Sequence, residues 1–492
     1  MLTSNPTSPY SRSAQSSPGF ILEAIESMRH PRQGVAAVFL ALFLLSVIVR
    51  VGLFCASWGN LRHASSEHFG STALGLLFGK GLTLNSTEAE TIARLPNNHR
   101  GDFREFYTPD RRIPSTRFLP GPSFLLWLLW KVFGVYNFAP YIALQIILEA
   151  LCISFFYLCF KRETSAIFRL ITIILIFNFP GITKTLEMGY DFWPSFCVMV
   201  SFIGTAWALK ATKNKPALLV TGIMAGLTIW FRETTSFLPF YISVLLFFYW
   251  RSKSKRSLKD IVFGIAVYLL PVVVSVAALS FHRYELTGNF RPTFSPFWNT
   301  FWAGVGQFPN PYHISAEDSS IWNLGKKLDS RLDNHALSEM FQSPNSLYEK
   351  TLKKEAIRFL KKRPFLFLRN AACRVAIMIA PPLYNLMASR LTKLNRFSAL
   401  LANKSSALLL VSVGVILMVL WFSGMLNLYK RNNLVFWLSI TIYIYFFFTS
   451  GFFYLVGRTI LPFLFLNVLV YFFGTDNIVR AVMIHARKRS RS

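Results

Sequence analysis

Gly34–Ala56 reads GVAAVFLALFLLSVIVRVGLFCA, an apolar run interrupted by one charge, Arg50. About 20 apolar residues in a helix span the hydrocarbon core of a bilayer. A helix also satisfies its own backbone hydrogen bonds where no water can. The run is therefore read as a transmembrane helix, and it sets the reading of the whole chain. Further apolar runs follow at Phe138–Phe160, Phe168–Pro180, Phe192–Leu209, Leu218–Phe231, Ser236–Trp250, Ile261–Phe281, Leu408–Leu428, Leu434–Phe447 and Ile460–Phe473. Phe365–Ala380 is ambiguous, because Arg369 and Arg374 interrupt it. The expectation is an all-α polytopic membrane protein with about 10–12 crossings.

Composition agrees. Of 492 residues, 53% are hydrophobic and 15% charged, where a soluble domain is about one quarter charged. The net charge of +29 is carried largely between the runs: Arg29 and Arg32 before the first, Lys161-Arg162 after the second, then Lys210, Lys213 and Lys215, Arg251 to Arg256, Lys430-Arg431 and the tail Arg480 to Arg491. This is the bias that keeps basic loops cytoplasmic. With ten crossings it places both termini inside, whereas Phe365–Ala380 as an eleventh would put the basic tail outside. Either way it explains the charge without nucleic acid, for which no basic-aromatic domain exists. The Ser/Pro-rich residues 1–33 read as a cytoplasmic tail rather than a cleavable leader, residues 34–475 as the membrane domain, and residues 476–492 as a basic cytoplasmic tail. Cys55, Cys152, Cys159, Cys197 and Cys373 form no CxxC pair and are read as small hydrophobes. His63 and His282 have no ligand spacing around them, so no metal site is expected from the residues.

Two long polar stretches remain, 57–137 and 282–364, both expected on the outer face. The second contains a mixed-charge helical stretch, Ser346–Lys362. In the first, Pro122–Gly134 is too short for a comfortable crossing and is read as an interfacial helix. Within the apolar runs, Arg50 and Glu149 are expected to pair, since a lone charge in hydrocarbon costs about 3 kcal/mol. Asn85-Ser86-Thr87 and Asn403-Lys404-Ser405 are formal glycosylation sequons.

The polar stretches also carry ordered motifs. Glu67-His68-Phe69-Gly70-Ser71-Thr72-Ala73 leads into Leu76-Leu77-Phe78-Gly79-Lys80-Gly81-Leu82. Leu119-Pro120-Gly121-Pro122-Ser123 is followed by Leu126 and Phe133-Gly134. Arg283-Tyr284 precedes Gly288-Asn289-Phe290 and Pro292; Tyr348 precedes Glu355-Ala356 and Pro364; Gly457-Arg458-Thr459-Ile460-Leu461-Pro462 opens the last run. Taken in order, these resemble the GT-C glycosyltransferases, in particular the branch of protein O-mannosyltransferases and lipid A aminoarabinose transferases. The likeness extends over residues 34–474. It departs from the family pattern at Glu67 and Phe69, where an Asp and a Tyr are usual, at His282, at Leu119, and at Pro122-Ser123.

The resemblance implies a GT-C fold with two outer-face loops and interfacial helices. The implied activity is transfer of a sugar from a polyprenyl-phosphate carrier to a lipid, glycan or protein acceptor. The implied location is a bacterial inner membrane with the site outside, and no metal is fixed by the likeness. Glu67 takes the place of the general base, among other loop acids Glu88, Glu90, Asp102, Glu105 and Asp110. Arg458 is the first candidate for the carrier phosphate, and Lys80 the second. Asp191 and Arg232 lie at outer span ends, where they would orient donor or acceptor. Each of these residues also has a plain reading: Arg458 snorkelling to the interface, Lys80 a solvated loop lysine, Asp191 and Arg232 in packing ion pairs. Two other functions stay open, a transporter or flippase of lipid-linked glycans and a non-catalytic subunit that shares the fold.

Overall fold

A computed structural model of the chain describes residues 33–57, 66–94, 102–110, 112–115, 119–134, 138–160, 192–210, 215–232, 235–253, 257–288, 290, 297–333, 347–380, 404–431, 433–451 and 457–489. The expected run Phe168–Pro180 and the sequon at Asn403 fall outside the described residues. The described chain is helical apart from a two-residue antiparallel ladder, β1 (Thr83–Leu84) with β2 (Ile113–Pro114).

Among the described residues, four helices are long and apolar enough to cross a bilayer, over Val38–Ala56, Leu258–Glu285, Val411–Arg431 and Leu466–Ala486. They belong to α1 (Gln33–Ser57), α9 (Leu258–Thr287), α14 (Lys404–Arg431) and α16 (Gly457–Arg489). Shorter apolar helices include α4 (Gly121–Phe133) and α5 (Ala139–Phe160). With them run α6 (Phe192–Lys210), α7 (Lys215–Phe231), α8 (Leu238–Lys253) and α15 (Asn433–Phe446). The patterning of α1 is inverted relative to a protein in water. On α1, Leu40 and Ile48 are 53% and 65% exposed while Ser46 and Arg50 are fully buried. An apolar outer face over a buried Ser and Arg fits hydrocarbon as the surrounding medium, while the core between the helices is itself largely apolar.

Arg50 and Glu149 do pair. Arg50 Nε donates to Glu149 Oε2 at 2.7 Å, joining α1 to α5, and Arg50 Nη1 donates to Ser46 Oγ at 2.6 Å. Removing one partner leaves a buried charge, whereas replacing both with apolar residues removes the desolvation cost together with the attraction. Glu149→Leu alone is therefore expected to lose about 3 kcal/mol of stability, and Arg50→Leu combined with Glu149→Leu to recover most of it. Thermal unfolding of the three proteins in detergent measures this. Equal loss in the single and double variants would mean that the unpaired Arg50 charge is not what destabilises the single variant.

The first polar stretch folds against the helix ends as α2 (Ser66–Leu77), β1, α3 (Ser86–Arg94), β2 and α4. Its core contains Phe69, Ile92, Phe103, Leu126 and Trp130, and continues into Phe138 and Tyr141 of the α5 end and Phe192 and Trp193 of α6. Asn85, 5% exposed, caps α3: its Oδ1 accepts the Glu88 N–H at 3.1 Å, and its Nδ2 donates to the Asp110 carbonyl at 2.7 Å. The sequon asparagine is thus used and covered in the folded chain.

The second polar stretch is a small unit of α10 (Phe297–Gly306), α11 (Asp318–Leu328) and α12 (Leu347–Lys362) around Trp302, Ile321, Tyr348, Leu352 and Phe359. Glu349 on α12 caps α10, accepting the N–H groups of Trp298 and Asn299 at 3.1 and 3.2 Å. Burial pushes the Glu349 carboxyl above its usual range, and those two N–H donors oppose the shift. Asp329, between α11 and the following turn, is pulled down to about 2 by the Arg331 side chain bonded to it.

Boundaries differ from the sequence reading at several polar helix ends; α16, for one, continues past Phe473 to Arg489, through most of the expected basic tail. α9 continues past the apolar run, through His282 and Arg283, and stops at Gly288 in the left-handed region (φ 69°). The ambiguous run is one helix, α13 (Pro364–Ile379). Its interrupting Arg374 is buried and donates to Gln307 Oε1 at 3.1 Å and to the Gly304 carbonyl at 2.6 Å, at the C-terminal end of α10. Cations suit that end of a helix. Of the cysteines, Cys152 and Cys197 are buried as expected, whereas Cys55 is exposed on α1.

Candidate functional site

The Pro-Gly segment of the first polar stretch and the end of α7 are in direct contact. A Cβ on Gly121 would lie 2.6 Å from the Trp230 carbonyl oxygen and 3.2 Å from the Phe231 ring. Glycine is what allows α4 to start against that backbone. Gly121, Pro122 and Ser123 are all buried there. The next residue after Phe231 is Arg232, 9% exposed, whose N–H closes the last turn of α7 on the Thr228 carbonyl at 3.0 Å. The Arg232 carbonyl accepts the Thr235 hydroxyl at 2.8 Å, which reverses the chain into α8.

Aromatic side chains hold three more helix ends to this spot. Trp193, at the start of α6, stacks on Phe231 at 5.1 Å and donates its indole N–H to the Tyr141 hydroxyl of α5 at 2.6 Å. Tyr445 of α15 accepts the Phe237 N–H at 3.2 Å beside the start of α8. The α4, α5, α6 and α8 N-terminal ends and the α7 C-terminal end therefore meet on one side of the helices. From there an open apolar groove of about 730 Å³ runs between α8 and α15. Phe240, Tyr241, Phe248, Asn433, Trp437 and Ile444 are among its lining residues.

The structure treats the five residues expected from sequence differently. Arg232 lies in this patch. Glu67 is the second residue of α2, on the half of that helix whose Gly70 meets Ile92 and Phe138; the Glu67 side chain lies outside the described residues. Asp191 also lies outside them, immediately before Phe192 and Trp193. Arg458 is the second residue of α16, with its side chain likewise outside the described residues. Lys80 is exposed, in the turn after α2 between two glycines of positive φ, 71° and 68°. Glu67 lies in the first turn of α2, while the Lys80 N–H donates to the Gly75 carbonyl near its end at 2.8 Å, so about 12 Å of helix, from Glu67 to Gly75, stands between neighbours in the motif.

The competing loop acids are sorted by their partners. Glu88 is fully buried and ion-paired to Arg112 at 2.7 Å. Asp102 caps the turn at Phe103 and is bonded to Arg104, which lowers its carboxyl below the usual range. Sequence reasoning did not single out Arg112, although it bonds the Ser71 and Thr83 carbonyls as well as Glu88. No local signal marks it among the neighbouring cations Arg104 and Arg111. Among the described residues, no three His, Cys, Asp or Glu side chains gather as metal ligands. No protein-family model, curated protein or solved structure matches the chain.

Proposed function

We propose that the chain is a glycosyltransferase of GT-C type that moves a sugar from a polyprenyl-phosphate carrier to an acceptor at the membrane surface. The observation that carries this reading is the meeting of Gly121, Trp193 and Arg232, from three stretches far apart in sequence, at one end of the helices. Gly121 belongs to a motif that resembles the family, Trp193 follows Asp191 closely, and Arg232 is itself a candidate from the sequence. The groove leading away between α8 and α15 is lined mostly by apolar side chains, as a prenyl chain requires.

The chemistry needs few parts. The acceptor hydroxyl attacks the anomeric carbon while the Glu67 carboxylate takes its proton. The bond between that carbon and the phosphate oxygen breaks, and the electron pair leaves with the carrier phosphate. Guanidinium groups stabilise that leaving charge, a role assigned to Arg232 and Arg458. Lys80, held away from Glu67 by α2, is a weaker partner for the same phosphate.

Glu67→Gln keeps the size of the side chain and removes its basicity. It is expected to reduce transfer from radiolabelled polyprenyl-phosphate sugars in membranes by about 10²–10⁴-fold, with the protein still folded by its melting curve. Transfer at the full rate would remove Glu67 from the base role. A parent protein that carries such a lipid between leaflets without forming a glycosidic bond is instead a flippase, and the proposed reaction class is then wrong.

A further inference from the structure

α12 separates its charges completely. Its two carboxylates, Glu349 and Glu355, are buried, while Lys350, Lys353, Lys354, Arg358, Lys361, Lys362 and the following Arg363 are all exposed. Both carboxylates are engaged inward, Glu349 capping α10 and Glu355 accepting the Tyr312 hydroxyl at 2.8 Å. Among the described residues only Arg358 of the seven cations makes an ion pair, to Glu355 at 2.7 Å. Residues spaced by three and four share one helix face. Lys350, Lys354, Ile357 and Lys361 therefore form one ridge, about 16 Å long at 1.5 Å per residue.

The underside of the ridge is fixed. Tyr348, Leu352, Ala356 and Phe359 pack into the core shared with α10 and α11, and the Trp302 indole donates to the Leu352 carbonyl at 3.1 Å. Apolar side chains accompany the cations on the outside: Ile357 is 39% exposed within the ridge, and Phe365 and Leu368 are 85% and 52% exposed just beyond it. From Pro364 the chain continues as α13, whose Met378 carbonyl accepts Asn467 Nδ2 of α16 at 2.8 Å. The ridge thus leads directly into the apolar helices.

We infer that the basic face of α12 is a docking surface for anionic phospholipid headgroups of the bilayer that holds the chain. Phosphate groups complement the lysines, and the acyl region beneath them takes Phe365 and Leu368. A soluble polyanion satisfies the lysines but leaves those two side chains in water, so the lipid surface is the better partner. The inference depends neither on glycosyl transfer nor on which side of the membrane α12 occupies.

The test is lysine acetylation of the full chain in phosphatidylcholine nanodiscs, with and without phosphatidylglycerol, read by peptide mass spectrometry against Lys80. Phosphatidylglycerol is expected to slow acetylation of Lys350, Lys354 and Lys361 about fivefold, equivalent to roughly 1 kcal/mol for each lysine at an anionic surface. High salt should remove the protection. Equal rates in the two lipids overturn the inference. So does protection in neutral nanodiscs by inorganic polyphosphate when phosphatidylglycerol gives none. Neither readout involves catalysis, so failure here leaves the Glu67 experiment standing and the reverse also holds.

Discussion

Glu88→Ala is expected to unfold the first polar stretch ahead of the helices, at a cost of about 3–5 kcal/mol. The reason lies with Arg112. Its guanidinium donates to Glu88 Oε2 at 2.7 Å, to the Ser71 carbonyl at 2.6 Å, to the Thr83 carbonyl at 2.9 Å and to the Thr83 hydroxyl at 3.0 Å. One side chain thereby ties together α2, β1 and α3. Its own side chain is 4% exposed and that of Glu88 is 0% exposed. Deleting the carboxylate leaves the cation buried with neutral acceptors only, and also frees the Thr108 N–H that Glu88 accepts at 3.2 Å. Glu88→Gln should cost less, because an amide oxygen still accepts from Arg112. Hydrogen exchange with mass spectrometry separates the outcomes: the alanine variant should lose protection over residues 71–88 while the apolar helices keep theirs. Unchanged protection there would show that the carbonyl acceptors suffice for Arg112. Loss of this unit would displace α2 and with it Glu67, so the proposed transfer activity should fall although the proposal gives Glu88 no part in the chemistry.

Arg112 also shows where sequence reasoning stops. Arg50 and Glu149 were legible as a pair because the penalty for a lone charge in hydrocarbon forces a partner, and few are available there. The Leu347–Lys362 helix was legible from its alternation of apolar and charged residues at helical spacing. Arg112 stands in a loop that water could solvate, and nothing in the string requires it to fold back onto Ser71. Tertiary closure alone gives it that role.

The same limit applied to the candidate site. Glu67 and Lys80 are close in the motif, yet a rigid helix between them sets them apart. Gly121 and Trp230 are remote in sequence and touch. His282 and Arg283 looked like the start of a loop because hydropathy falls there. Helix hydrogen bonding is indifferent to that fall, so α9 continues until Gly288 turns the backbone into the left-handed region. Hydropathy thus located the apolar helices well and their polar ends poorly, and the candidate site is built from those ends.

Gly424→Val is expected to destabilise the apolar helices by about 3 kcal/mol or more, because the overlap it creates falls on main-chain atoms that cannot rotate away. α14 and α16 approach through a reciprocal pair of glycines. A Cβ on Gly424 would overlap the Val470 carbonyl oxygen, and one on Gly474 would overlap the Leu420 carbonyl oxygen. Small residues at such crossings let helix backbones come close in a bilayer, where packing and interhelical hydrogen bonds replace the hydrophobic effect as the source of association. Here the close approach brings Asn427 Nδ2 to the Phe473 carbonyl at 2.7 Å and Arg431 to Asp476 at 2.8 Å. Forcing the helices apart therefore loses dispersion contacts, a buried amide bond and an ion pair together. Gly424→Ala should lie between the parent and the valine variant. Gly52→Ala is the matched control, since a Cβ at Gly52 meets nothing within 4 Å, and helix propensity favours alanine. Tryptophan-monitored thermal unfolding in detergent should rank the proteins as Gly52→Ala no less stable than the parent, then Gly424→Ala, then Gly424→Val. A Gly424→Ala protein that melts with the parent would mean that the two backbones are farther apart than this geometry requires. The effect should also reach the proposed site, because α16 carries Arg458 at its start and packs along α6, which contributes Trp193.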